Sequence, residues 1–293
     1  MEEGIKIFGR KTAKKSIQTR VQDVAVEERN DKVKSESVDI EKKNSAQTKL
    51  PKRFVDDKKI ENIPGVAPWI IESCKKLGIV RPTPIQWNLI PQVLQGKNVI
   101  GCAEVTRIFT SFFSPSFSHL FPIFLKKKTG SGKTATFAIP ILHSLSQDIY
   151  GIFAVVLTPT RELAHQIGEQ FSLIGAPIST KAAVIVGGTQ YLHQTSQLDK
   201  KPHVVVATPG RLAEHLKKNK QVHECFSRVK YLVIDEADRL FSTPDFIEQM
   251  QVIFDCLPKE RKTLLFSATI TEDIKTIQDV SSSKPFIYNQ NEM

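Results

Sequence analysis

Six short apolar runs, each followed by a stretch long enough for a helix, constrain the fold of this chain more than any other feature. The runs are 98–102, 153–157, 182–186, 203–207, 230–234 and 263–266, and most are rich in β-branched residues. Nearly continuous apolar strands that alternate with helices are typical of a parallel sheet buried on both faces. Right-handed crossovers then predict an α/β domain with a doubly wound, mainly parallel sheet, whose ligands bind at the carboxyl ends of the strands. The residues after each run are therefore the first candidates for a functional site.

Composition places the chain among soluble globular proteins and favours a polyanionic partner. Its 293 residues are 40% hydrophobic and 25% charged, which excludes collagen-like, wholly disordered and multi-span membrane proteins. Lys and Arg number 41 against 31 Asp and Glu, so the net charge of +10 makes nucleic acid the leading partner. The four cysteines lack Cys-x-x-Cys spacing, so neither a zinc site nor a disulfide framework is predicted, and a reducing compartment fits best.

Two segments differ from this alternating pattern. Residues 1–59 contain many charges and few clustered apolar residues, which predicts a disordered tail. Residues 104–127 contain six Phe, four Ser and two Pro, and they show neither helical nor strand periodicity. This atypical insertion has two interpretations, a translated intron and a genuine loop. Its removal would join Ala103 to Lys128 and create the sequence AKTGSGKT directly after an apolar run.

The sequence TGSGKT predicts a phosphate-binding loop. Its glycines let backbone N–H groups surround phosphates, Lys133 would reach the β and γ oxygens, and the Thr134 hydroxyl would bind Mg²⁺. An apolar, helix-like stretch follows, as such a loop requires. The candidate nucleotide-binding residues here are Thr129, Gly130, Ser131, Gly132, Lys133 and Thr134.

The acidic sequence Asp235-Glu236-Ala237-Asp238 follows the fifth apolar run directly. Beside a phosphate loop, Asp235 is predicted to hold Mg²⁺ and Glu236 to polarise an attacking water. Taken alone, the same residues would more simply cap a helix. The presence of TGSGKT in the same chain favours the catalytic interpretation.

With both motifs in place, residues 60–293 resemble the first RecA-like domain of a DEAD-box ATP-dependent RNA helicase, a family of superfamily 2. The sequence GIVRPTPIQ resembles the family's Q motif, in which Gln86 would pair with adenine. The sequences PTRELA, GG and TPGR resemble motifs that contact the RNA backbone, and SAT (Ser267, Ala268, Thr269) resembles the motif that couples the ATP and RNA sites. The resemblance therefore implies RNA contacts from Pro159, Thr160, Arg161, Gly187, Gly188, Thr208, Pro209, Gly210 and Arg211.

The resemblance also implies cofactors and partners. ATP and Mg²⁺ are the expected cofactors, with Asp235, Glu236 and Lys133 as catalytic residues and Thr134 and Asp235 at the metal. Within the family the chain is most similar to helicases of nucleolar small-subunit ribosome assembly. This implies structured pre-rRNA as substrate, ribosome-assembly factors as partners and a nuclear, nucleolar setting. We also expect no membrane association and a monomer.

Besides the insertion 104–127, two departures from the family pattern shape the functional expectation. The family usually has an aromatic residue about 17 positions before the Q motif, where Ile60 and Glu61 lie here. The sequence also ends at Met293 shortly after SAT, without a second RecA-like domain and its arginines. We therefore expect little ATP turnover from this chain alone, and two hypotheses stay open. One is a truncated ATP-dependent RNA helicase, and the other is a noncatalytic RNA- or protein-binding module.

Overall fold

The computed structural model describes residues 58–103, 132–269 and 284–290. These residues contain seven strands: β1 Val99–Cys102, β2 Ala154–Leu157, β3 Ala182–Ile185, β4 Val204–Ala207, β5 Tyr231–Ile234, β6 Lys262–Ser267 and β7 Phe286–Asn289. The strands form one sheet in the order β3-β4-β2-β5-β6-β1-β7, and every paired strand is parallel to its neighbour. The predicted parallel sheet is confirmed.

Helices alternate with the strands. They are α1 Pro68–Lys76, α2 Pro84–Leu94, α3 Lys133–Gln147, α4 Arg161–Ile174, α5 Tyr191–Asp199, α6 Pro209–Lys218, α7 Lys220–Cys225, α8 Ala237–Ser242 and α9 Pro244–Cys256. Four of them begin with proline, whose fixed φ suits the first helical position and whose missing N–H costs nothing there. Short 3-10 turns lie at Ile60–Asn62 and Ala176–Ile178. In the part of the chain that the structure describes, no helix is long and apolar enough to cross a membrane.

Both faces of the sheet are buried, as β2 shows. Ala154 and Val156 belong to a core cluster that also contains residues of α1, α2, α3 and α4. The alternate residues Val155 and Leu157 are also fully buried but lie outside that cluster. Helices α6, α7, α8 and α9 pack on one another, and α8 contacts β6. Since successive strand residues point to opposite faces, this burial explains why the strand sequences are continuously apolar.

All six predicted strands are present, with ends that differ by a residue or so. The sequence interpretation missed β7, because Phe286 and Ile287 are partly exposed on an edge strand and the apolar run is short. The predicted tail, apart from Lys58 and Lys59, lies outside the described residues, and so do the predicted insertion 104–127 and the loop residues Thr129, Gly130 and Ser131.

Candidate nucleotide and RNA sites

The strand order sorts the predicted site residues into two groups at one edge of the sheet. The neighbours β5, β6 and β1 end beside Asp235, Ser267 and Ala103, and α3 starts at Lys133. The neighbours β3, β4 and β2 are followed by the other group, which consists of Gly187 and Gly188, Thr208 to Arg211 and Pro159 to Arg161. We call these the β5–β6–β1 half and the β3–β4–β2 half. They meet where β2 pairs with β5.

Lys133 lies between the ends of β1 and β6. Its side chain is buried, and its Nζ donates to the carbonyl oxygen of Ala103 at 3.3 Å and to that of Ser267 at 3.4 Å. A lysine ammonium has three protons, so two long bonds to neutral carbonyls leave it able to bind an anion. The chain thereby places a positive charge at the carboxyl edge of the sheet, next to the first turn of α3.

Asp235 is the second charged group of the β5–β6–β1 half. Its backbone N–H donates to Leu157 O at 2.9 Å, which fixes the end of β5 against β2. Its Oδ1 is buried and has no hydrogen-bond partner among the described residues. Burial raises the pKa of Asp235 to about 6, although the charge of Lys133 partly opposes this shift. A buried carboxylate with an unsatisfied oxygen is costly unless a ligand or cation completes its coordination.

These residues fit a magnesium ion. Mg²⁺ takes oxygen ligands and is usually held by one or two carboxylates together with substrate phosphates and water. The unpartnered Asp235 oxygen supplies such a ligand, and the Thr134 hydroxyl lies on the first turn of α3 beside Lys133. In the described residues, no cluster of three or more His, Cys, Asp and Glu forms a separate metal site.

Gln86 connects α2 to the start of α3. Its Oε1 accepts from the backbone N–H of Thr83 at 3.0 Å, and its Nε2 donates to Gly132 O at 3.0 Å. Gly132 has a φ of 77°, and a Cβ there would come within 2.6 Å of the Gln86 amide. Each amide group has two protons and two lone pairs, so one donor and one acceptor of Gln86 remain for an adenine edge.

The acidic motif is held in an uncommon backbone conformation. Glu236 has φ 52° and ψ 50°, a left-handed conformation that few non-glycine residues adopt. Its carboxylate is paired with the Arg239 guanidinium at 2.7 Å. Asp238 accepts a hydrogen bond from the Ser267 hydroxyl at 2.8 Å, which joins α8 to the end of β6. The predicted coupling residues thus contact both the acidic motif and, through the Ser267 carbonyl, Lys133.

The β3–β4–β2 half forms an open pocket of about 380 Å³. Six of its nine lining residues are among those predicted to contact RNA: Pro159, Arg161, Gly187, Thr208, Gly210 and Arg211. Thr160 caps α4, since its Oγ1 accepts from Leu163 N at 3.3 Å, and Pro209 is buried in the first turn of α6. The structure therefore brings most of the second group together on one surface.

A turn of two glycines approaches an arginine closely in this pocket. We call residues 186–189 the two-glycine turn. Gly188 has a φ of 79°, and a Cβ there would lie 2.2 Å from Nη1 of Arg161. A Cβ on Gly187 would lie 3.3 Å from the same guanidinium. Gly188 is favoured by its left-handed backbone conformation, and a side chain at either glycine would need the Arg161 guanidinium to shift.

Known proteins share the sequence that forms these sites. The sequence profile of the DEAD/DEAH box helicase family matches residues 83–277, which is more than half of the chain. The chain belongs to the DEAD/DEAH box helicase family. The recognition made from the motifs is confirmed, and so is the RecA-like fold.

Relatives of this DEAD-box chain are much longer. It is 44% identical over 228 residues to DEAD-box ATP-dependent RNA helicase 36 of Arabidopsis thaliana, covering 78% of this chain and 41% of the relative. It is 43% identical over 239 residues to ATP-dependent rRNA helicase RRP3 of Pyricularia oryzae, covering 82% and 39%. A crystal structure of a DEAD box protein from Methanococcus jannaschii matches with a TM-score of 0.63 and 30% identity, covering 78% of this chain and 55% of that one. The chain thus spans about two fifths of the length of these curated relatives.

Three pocket residues of this DEAD-box chain were missed by sequence reasoning. They are Glu214, Phe246 and Gln249. Glu214 lies one helical turn after Arg211 and is paired with its Nε at 3.2 Å, so helical spacing could have found it. Phe246 and Gln249 lie on α9, and only the packing of α9 against α6 brings them to the pocket.

In this chain a buried aliphatic residue lies near the position at which the family usually has an adenine-stacking aromatic. Ile60 is fully buried, and its backbone N–H donates to Val80 O at 2.9 Å. The nearby Trp69 packs against the core from α1. Ile60 has no ring, and Trp69 is partly buried.

Proposed function

We propose that this chain is the ATP- and RNA-binding first half of an ATP-dependent RNA helicase. The observation that carries the proposal is the arrangement of the sheet edge. One half has a buried Lys133 and an Asp235 carboxylate whose Oδ1 has no hydrogen-bond partner among the described residues, and the adjoining half has an open pocket lined by Arg161 and Arg211. A nucleotide and an RNA backbone are both polyanions, and each half presents cationic side chains of its own, Lys133 in one and Arg161 and Arg211 in the other.

In the nucleotide site, each residue would have a distinct role. Gln86 would pair with adenine through its remaining donor and acceptor, and the backbone of residues 129–132 would surround the phosphates. Lys133 would bind the β- and γ-phosphates, while Thr134 and Asp235 would hold Mg²⁺. Bound Mg²⁺ supplies neutralisation of the phosphate charge that develops during hydrolysis. Glu236 would orient or deprotonate the attacking water after its carboxylate separates from Arg239.

In the RNA site, backbone contacts would dominate. Arginine guanidiniums and glycine N–H groups recognise phosphate oxygens without reading bases. Arg161 is exposed beside the two-glycine turn, and Thr208 to Arg211 begin α6 at the other side of the pocket. We infer that binding is indifferent to base sequence and that Ser267, Ala268 and Thr269 transmit changes between the two sites.

The relatives support a proposal for the cellular role. One relative is named an rRNA helicase, and its identity to this chain is 43%. We infer that the substrate is structured pre-rRNA in ribosome biogenesis, with assembly factors as partners and a nuclear, nucleolar location. Residues 1–59 would be a disordered charged tail, and residues 60–293 would form a RecA-like domain that the insertion 104–127 interrupts. The competing hypothesis is a noncatalytic binding module with the same two binding sites. It predicts that the chain has no ATP hydrolysis that depends on Glu236, so Glu236→Gln would leave the rate unchanged.

The RNA site is tested by Arg161→Ala, measured as anisotropy of a labelled single-stranded RNA over a range of salt concentrations. We expect about a tenfold loss of affinity. The negative slope of log K against log salt should become shallower by about 1, because one phosphate contact is removed. Affinity for ADP-Mg²⁺ should not change. Arg228→Ala is the matched control, since Arg228 is also exposed but precedes β5 at the opposite edge of the sheet. Equal effects of the two substitutions, or sequence-selective binding that persists at high salt, would contradict the proposal.

A further inference from the structure

A buried glutamine outside every predicted motif, Gln194, connects the two sides of the RNA pocket. It lies on α5 and is 2% exposed. Its Nε2 donates to the carbonyl oxygen of Val186 at 2.8 Å and also to the hydroxyl of Thr189. These two residues begin and end the two-glycine turn, so one side-chain amide holds both ends of that turn.

The other end of the same amide faces α6. Gln194 Oε1 lies 3.4 Å from Nη1 of Arg211 and 3.3 Å from Nε2 of His215. Nη1 of Arg211 also donates to Thr189 O at 2.9 Å. The arginine and the turn are therefore joined twice, once directly and once through Gln194.

His215 supports this arrangement from inside. Its ring is fully buried and stacks on Tyr191 at a centroid distance of 4.2 Å. Burial, followed by the charge of Arg211, lowers the pKa of His215, which keeps the ring neutral. The tautomer with its proton on Nε2 donates to Gln194 Oε1, and its Nδ1 lies 3.4 Å from the Thr195 hydroxyl, which donates to Tyr191 O at 3.2 Å.

The chemistry of these contacts selects an amide at position 194. The group must donate to a carbonyl on one side and accept from a guanidinium on the other. A carboxylate could not donate to Val186 O, and an aliphatic side chain would leave Val186 O and Arg211 without these bonds. Loss of a partner in a buried site costs more than the bond contributes, because the remaining polar group is left desolvated.

We propose that Gln194 is a positioning residue for RNA binding, which fixes the two-glycine turn relative to Arg211. The backbone N–H groups of the turn and the guanidinium then face the same stretch of RNA backbone. This inference rests on the proposed RNA-binding function. It assigns to Gln194 no contact with RNA itself, since its amide is used within the chain.

The test compares Gln194→Leu and Gln194→Glu with Tyr231→Phe in the full 293-residue chain. Tyr231→Phe is the matched control for stability, because it removes the partly buried hydrogen bond between Tyr231 and Ser144 on α3 (2.9 Å). Three quantities are measured for each variant: the midpoint of thermal unfolding, the affinity for a fluorescent ADP with Mg²⁺, and the affinity for a labelled oligouridine over a series of salt concentrations.

We expect both Gln194 variants to bind the oligouridine about tenfold more weakly. In Gln194→Leu the negative slope of log K against log salt should also become shallower by about 1, because one cationic contact is misplaced. ADP affinity should stay within twofold of the unchanged chain, and Tyr231→Phe should alter only the unfolding midpoint.

Three outcomes would overturn the inference. One is a folded Gln194→Leu with unchanged RNA affinity and salt slope. Another is an equal loss of RNA affinity in Tyr231→Phe, which would reduce the effect to general stability. If Gln194→Leu does not fold, an unchanged RNA affinity in Gln194→Glu would overturn it. A failure of the unchanged chain to bind the oligouridine at low salt would instead contradict the proposed function, and the inference would fall with it.

Discussion

The candidate sites in the two halves of the sheet edge differ in how deeply their charged side chains are buried. In the β5–β6–β1 half, Lys133 and Asp235 are at most 6% exposed, and the lysine rests on main-chain carbonyls. In the β3–β4–β2 half, Arg161 is exposed and the pocket is open. A buried site holds its charges in a low dielectric, so it responds strongly to a single lost charge and to pH. An open cationic site depends on many weak contacts and responds mainly to salt.

The largest effect is expected from Lys133→Ala. Removing this ammonium should lower the affinity for ADP-Mg²⁺ by at least about 100-fold, equivalent to about 2.7 kcal/mol, because a buried charge-assisted contact to phosphate is lost. RNA affinity should stay within about twofold, since Lys133 belongs to the other half of the sheet. Calorimetric titration measures the first quantity and fluorescence anisotropy the second.

Lys230→Ala is the control for that experiment, because Lys230 is exposed and precedes β5 at the amino edge of the sheet. A Lys133→Ala variant that loses RNA and nucleotide affinity together would remove the distinction between the halves. So would a Lys230→Ala variant that weakens nucleotide binding equally.

An intermediate effect is expected from pH, through Asp235. Because its pKa of about 6 lies above the unfolded value, the protonated form stabilises the fold, and the unliganded chain should lose stability as pH rises from about 4 to about 6. Magnesium needs the ionised carboxylate, so ADP-Mg²⁺ affinity should be about tenfold lower at pH 5 than at pH 7.

Asp235→Asn separates this titration from that of the nucleotide, whose own phosphate has a pKa near 6. The variant should bind ADP-Mg²⁺ weakly at every pH, and only the residual phosphate dependence should remain. Identical pH profiles for the two proteins would show that Asp235 does not titrate in this range.

The smallest effect is expected from Ser267→Ala, which removes the hydrogen bond to Asp238 between the acidic motif and β6. Chemical denaturation should show a loss of about 1 kcal/mol in the free energy of unfolding. The separate affinities for ADP-Mg²⁺ and RNA should each stay within about twofold. Ser144→Ala, which alters a hydrogen bond away from the site, provides the comparison. A tenfold loss in either affinity would assign Ser267 a direct binding role instead.

Much of the fold was predictable because a strand that is buried on both faces has a nearly continuous apolar sequence. Runs such as 153–157 and 231–234 are apolar at every position, and each forms a strand within a residue or so of those bounds. Among the described strands, the missed strand Phe286–Asn289 lies at one end of the sheet, and two of its side chains are partly exposed. Its weaker hydrophobic pattern follows directly from that position.

The candidate site residues were predictable for a different reason. Glycine, lysine and acidic residues after strands carry chemistry that few other sequences provide, so Lys133 and Asp235 could be proposed from the motifs alone. Gln194 could not be proposed in this way. A single glutamine on an amphipathic helix is ordinary in sequence, and its importance comes from four hydrogen-bonding contacts to two other elements.

The sequence by itself determined the alternation of strands and helices and the chemical groups that follow each strand, because both are set by local periodicity and residue type. Only the tertiary structure decided which of those groups are neighbours. The order β3-β4-β2-β5-β6-β1-β7 places β1 beside β6, although 159 residues separate Cys102 from the start of β6 at Lys262. Strand order depends on crossover connections and on how helices cover the two faces, and these are long-range packing energies that no local pattern contains.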